Sequence, residues 1–140
     1  MPTEVTIPHA FKPRPYQLPF LKAMDEGATR AVLVWHRRSG KEKTCLNFTA
    51  KRAFERVGTY YYLFPTFNQG RRVLWDGIDR DGFRFMEHFP REIVDGKPNE
   101  TAMQVRLRNG SVFQIVGTDN FNCYDSETEI LTDSGWRYFR

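Results

Sequence analysis

The stretch from residue 31 to residue 64 restricts the fold most. Residues 31–35 (A-V-L-V-W) form an unbroken apolar run of strand length. A run apolar on both faces suits a strand buried inside a sheet. Polar, Gly-containing residues follow at once, and residues 41–56 carry a helical pattern. Residues 59–64 (T-Y-Y-Y-L-F) read as a second strand, closed by Pro65. Strand, loop, helix and strand make a βαβ unit, which predicts an α/β domain with parallel pairing and a right-handed crossover.

The flanking segments add smaller elements. Residues 1–16 hold four of the eight prolines and read as an extended arm. Residues 17–24 suit a short helix ended by Gly27. Residues 68–75 and 82–88 also read as helical, the latter stopping before Pro90. Residues 103–107 and 112–116 alternate with period two around Asn109-Gly110. Asn-Gly between alternating segments is a strong hairpin signal. A second hairpin is expected near the C-terminus, from residues 128–132 and 136–139 across Asp133-Ser134-Gly135.

The chain has 140 residues, 40% of them hydrophobic, including twelve Phe, six Tyr and three Trp, enough for one core. No apolar run approaches the roughly 18 residues of a membrane span. The first ten residues lack the order of a signal peptide. A soluble intracellular protein is therefore expected. Charge is uneven: residues 1–122 carry +6 and residues 123–140 carry −2, within a total of +4. A basic body suits an anionic partner such as nucleotide or DNA. Cys45 and Cys123 are too far apart in sequence for a zinc knuckle, and two cysteines make no disulfide framework.

The sharpest chemistry lies in W-H-R-R-S-G-K-E-K-T, residues 35–44. Phosphate binding needs a buried strand, a glycine that lets the backbone approach, and amides at a helix start. Gly40 and Lys41 fit those roles. Trp35 stands where a phosphate loop has its first Gly, and Glu42 where it has a magnesium-binding Ser or Thr. Thr44 lies two residues beyond Glu42. The bland alternative is a turn with solvated basic residues. His36 reads as a strand-end residue, Tyr60, Tyr61 and Tyr62 as sheet packing, and Arg71 and Arg72 as a solvated helix face.

R-R-S-G-K after V-L-V-W-H resembles the deviant Walker A of phage terminase large subunits. P-R-P-Y-Q (13–17) resembles that family's adenine-reading segment, residues 57–79 its second strand and helix, and residues 107–120 the hairpin before Walker B. The resemblance covers residues 11–122. It implies a partial P-loop NTPase domain, a parallel sheet with helices plus a β-hairpin. It also implies nucleotide contacts at Gln17, Arg37, Arg38, Ser39, Gly40, Lys41 and Thr44. ATP and Mg²⁺ would be the cofactors of the assembled motor, with no metal ligand assigned here. No apolar run ending in Asp-Glu or Ser-Glu follows, so binding without turnover is expected.

From Cys123 the pattern changes. C-Y-D-S-E-T-E-I-L-T-D-S-G-W resembles the N-terminal splicing block of inteins, which have the Hint fold. The resemblance divides the chain into residues 1–122, an N-extein, and residues 123–140, an N-intein. Cys123 would attack the carbonyl of Asn122 to give a thioester, a step that needs no cofactor. Thr128 and Asp125 match family positions, and Thr128 also suits plain strand structure. A buried structural cysteine is the alternative. The implied partner is a C-intein–C-extein polypeptide of compensating basic charge. The ligated ATPase and endonuclease would meet portal, small terminase and double-stranded DNA in the host cytoplasm. Two rivals stand beside this reading: a free-standing basic module for nucleotide or DNA, and a helicase-like ATPase fragment.

Overall fold

The computed structural model describes residues 11–120 and the backbone of residues 129–132 and 135–138. The fold is mixed α/β. A short helix α1 (Leu18–Asp25) follows one 3-10 turn at Pro15–Gln17. Helix α2 (Lys41–Glu55) is the longest element. Strand β1 (Thr59–Phe64) leads into a short helix α3 (Phe67–Gly70), continued by a π-type turn over Arg71–Trp75. Strands β2 (Gln104–Arg106) and β3 (Val112–Gly117) form the hairpin expected around Asn109-Gly110.

The sheet has three strands in the order β1-β3-β2. β1 runs parallel to β3, with Thr59 opposite Val112 and Phe64 opposite Gly117. β2 runs antiparallel to β3. Alternation sets the faces. Phe113 and Ile115 of β3 are buried, and Tyr60 and Tyr62 of β1 pack against the same core. Leu46, Ala50 and Ala53 of α2, spaced four and three residues apart, present one helical stripe to that core. Phe64, Leu74, Trp75, Phe89, Ile93, Met103, Val105 and Leu107 complete it. Gly70 allows α3 to lie on β3, because a Cβ there would sit 2.6 Å from the Ile115 side chain.

Three expectations need correction. Residues 31–35 form no strand, and Val32 and Val34 are 89% and 90% exposed. Their apolarity calls for two neighbouring strands, and among the described residues neither is present; Trp35 packs edge-on against Tyr16 and Phe20. The parallel partner of β1 is consequently β3 rather than residues 31–35. Residues 82–88 hold only a 3-10 turn, Phe85–His88, because Asp79 draws the amides of Asp81 and Phe83 into a side-chain-bonded loop. Residues 68–75 are helical as expected, with a change of winding at Arg71.

Near the C-terminus, β4 (Glu129–Thr132) pairs antiparallel with β5 (Gly135–Tyr138), as expected. Residues 1–10 of the arm, the turn residues Asp133 and Ser134, and Asn122, Cys123, Asp125 and Thr128 lie outside the described residues. Among the described residues, no helix is long and apolar enough to cross a membrane.

Candidate phosphate-binding site

The loop before α2 is built by local geometry and held by α1's leading turn. Gly40 is the N-cap of α2 with φ +79°, a left-handed conformation that glycine adopts without strain. Arg38 is also left-handed, with φ +62°. The two reversals fold residues 36–40 back over the helix start. From below, Tyr16 Oη donates to Ser39 O at 2.6 Å, and Gln17 Nε2 donates to the same oxygen at 2.9 Å. Gln17 Oε1 accepts from Arg14 N at 2.9 Å. Gln17 is only 2% exposed. Its amide therefore braces the loop on one side and its own turn on the other.

The helix start presents donors without acceptors. Thr44 N makes the first intrahelical bond, to Gly40 O at 2.9 Å. Among the described residues, the backbone amides of Gly40, Lys41, Glu42 and Lys43 donate to nothing, and no side chain caps the helix. Orphan amides at a helix N-terminus normally find a side chain, water or a ligand. Ser39 Oγ is a second orphan: the residue is 0% exposed, and its hydroxyl has no partner among the described residues. Lys41 Nζ donates to Trp35 O at 3.0 Å, so the ammonium spans the mouth of the loop.

The other expected residues divide. Arg37 and Arg38 are exposed beside the loop, and His36 Nδ1 donates to Arg37 O at 2.7 Å. Thr44 is brought under the loop, yet its hydroxyl donates to Gly40 O at 2.9 Å and is fully buried. That bond turns the hydroxyl toward the helix backbone. Arg71 donates to Glu100 O and lies over the Phe67 ring, so it braces the fold. Asn122, Cys123 and Thr128 cannot be placed relative to this loop, lying outside the described residues.

Two contributors escaped the sequence reading. Tyr16 is one: it packs edge-on against Trp35 at 5.8 Å while holding Ser39. Its place beside Gln17 was the available signal. The other is Asp79, which accepts from Lys43 at 2.9 Å and ties the first turn of α2 to the 79–83 loop. Nothing in sequence links residues so far apart. Burial pushes the Asp79 carboxyl up, but the bonds from Lys43, Phe83 and Asp81 and the Lys43 charge outweigh it and hold it below its ordinary value. Along the next turn of α2, burial and the Glu42 charge push the Cys45 thiol up, only partly offset by Lys41. A thiol so placed is a poor nucleophile.

Among the described residues, no group of three or more His, Cys, Asp and Glu side chains is arranged to hold a metal ion. No family model, no curated protein and no solved structure matches this chain.

Proposed function

We propose that residues 1–122 bind the phosphates of ATP and form the nucleotide-binding half of a viral DNA-packaging motor of the terminase large-subunit type. The observation that carries the nucleotide reading is the open start of α2: four orphan amides, a buried orphan hydroxyl on Ser39, and Lys41 beside them. Such a helix start favours an anion through its donors and its dipole, and it does so here without the buried strand expected before it, which residues 31–35 do not form. Lys41 would exchange its bond to Trp35 O for the terminal phosphates. Arg37 and Arg38 add positive charge beside them. Mg²⁺ would accompany the nucleotide, and Thr44 could reach it only by giving up its bond to Gly40 O.

The motor reading rests on the terminase-like order of segments over residues 11–122. The exposed Val32 and Val34 fit it, since a strand-like apolar run invites strands from a complementary polypeptide. So does β1, which stands at the edge of the sheet. In this proposal residues 123–140 are an N-intein, Cys123 forms a thioester with the Asn122 carbonyl, and trans-splicing joins the missing half. A free-standing nucleotide-binding module is the second reading. It is favoured by the core that α2, the three strands and residues such as Trp75, Phe89 and Ile93 already close.

Binding of a fluorescent ATP analogue with Mg²⁺ tests the first part. Saturable binding that drops about tenfold or more in Lys41→Ala is expected, since a charge-assisted phosphate contact is worth about 1.5–3 kcal/mol. Equal binding by both proteins would remove the phosphate loop from the reading. Hydroxylamine treatment followed by mass spectrometry tests the second part. Cleavage between Asn122 and Cys123, lost in Cys123→Ala, is expected. An intact mass with and without a candidate C-intein would leave the free-standing module.

A further inference from the structure

A separate cavity of about 760 Å³ is lined by residues of the Phe85–His88 turn, the 94–100 loop and β2. None of its lining residues belongs to residues 36–44. Trp75, Phe89 and Val105 close its base, and the half-buried Met86 and Val94 offer apolar surface inside it. Its rim carries Arg84, Arg91, Lys97 and Arg108 against the carboxylates Glu87 and Glu100.

These charges do not neutralise one another. Among the described residues four cations outside the rim are in ion pairs: Lys43 with Asp79, Lys51 with Asp25, Arg52 with Asp25 and Glu55, and Lys22 with Glu26. Among the described residues no rim cation joins an ion pair, although two carboxylates share the cavity. Among the described residues the Arg108 side chain donates to the Val94 carbonyl at 3.4 Å. A concave wall with excess positive charge focuses its field outward. The volume falls in the range of ligand-sized clefts.

We propose that this cavity docks an acidic peptide segment of a partner protein, with one large apolar side chain seated on Met86 and Val94 and flanking carboxylates on the Arg84, Arg91, Lys97 and Arg108 rim. The chemistry separates a peptide from a nucleic acid. Glu87 and Glu100 repel a continuous phosphate backbone, whereas peptide amides can donate to them. Met86 beside the cavity base can adapt to aliphatic and aromatic side chains of varied shape. Charge complementarity at such a rim sets association and its salt dependence.

The probe is a fluorescein-labelled acidic peptide with a single central Leu, followed by anisotropy against the full chain. Saturable binding that weakens with salt is expected. It should fall about tenfold in the charge-reversed double variant Arg91→Glu/Lys97→Glu and persist in Arg91→Lys/Lys97→Arg. Replacing the peptide's Leu by Ser should weaken it as well. Lys41→Ala should leave it unchanged, which separates this site from the phosphate loop. The reversed positions are exposed, and a thermal melt confirms that each variant folds. No binding by the folded chain, or equal binding by the charge-reversed variant, would overturn the proposal. So would tighter binding of a labelled DNA duplex that the same reversal abolishes, which would make the cavity a nucleic-acid surface.

Discussion

The two ends of α2 are finished in opposite ways. At its C-terminal end, distant side chains collect the carbonyls. Asn109 Nδ2 donates to Ala53 O and Phe54 O at 2.8 and 2.9 Å, and Ser111 Oγ donates to Ala53 O at 2.6 Å. Tyr60 Oη donates to Arg52 O and Arg56 O. At the N-terminal end, four amides and the Ser39 hydroxyl are left without acceptors among the described residues. One end is completed by the fold. The other has the donors, the glycine and the lysine of an anion site. In the proposed reading these free donors receive the phosphates of the nucleotide.

The comparison breaks first at the C-terminal end. The double variant Asn109→Ala/Ser111→Ala strands buried carbonyls of α2 and should cost about 2–4 kcal/mol, since each unsatisfied buried group costs about 1–3 kcal/mol. Urea denaturation checks it, and nucleotide binding measured on the remaining folded protein should be unchanged. A loss under about 0.5 kcal/mol, the range of an ordinary surface substitution, would mean that the hairpin does not secure the helix.

At the N-terminal end, Gly40→Ala sharpens the contrast. A side chain in the left-handed conformation costs about 1–2 kcal/mol, and its Cβ would stand 3.2 Å from Gln17 Nε2. The expected result is a modest fall in stability together with loss of nucleotide binding. Lys41→Ala should lose binding with stability within about 0.5 kcal/mol of the parent. If Gly40→Ala binds nucleotide normally, the loop conformation is not what receives the phosphates.

The smallest effect is the pH dependence of the Lys43–Asp79 link. The folded-state pKa of Asp79 is depressed, so its contribution is present above the unfolded value, about 3.9, and is lost as pH falls through the lower folded value. Thermal melts of the parent should therefore lose more stability between neutral pH and acid than melts of Asp79→Asn. Parallel curves for the two proteins would show that the ion pair contributes nothing measurable to folding.

Residues 103–117 and residues 31–35 show how far each kind of signal carries. Asn109-Gly110 between alternating segments specified a hairpin because turn and strands are neighbours in sequence, and the antiparallel β2–β3 pair formed as read. Residues 31–35 are more apolar, yet form no strand. Apolar composition states that a segment needs neighbours without supplying them. The loop residues followed the same division. Gly40 and Lys41 at the start of a helix were legible, because a helix start is local. That Gln17 and Tyr16 would meet on one carbonyl oxygen of Ser39 was not.

By itself the sequence determined the mixed α/β class, the apolar stripe of α2, the alternation of β1 and β3, and the glycine at the helix start. Each follows from spacing within a few residues, where backbone geometry leaves few choices. Only the tertiary structure decided that β1 pairs with β3, that Asn109 and Ser111 close one end of α2, that Asp79 holds Lys43, and that four cations gather unpaired around one cavity. Those contacts join residues far apart along the chain. Their formation depends on which surfaces the core brings together, a choice made by packing across the whole domain rather than by any local run of residues.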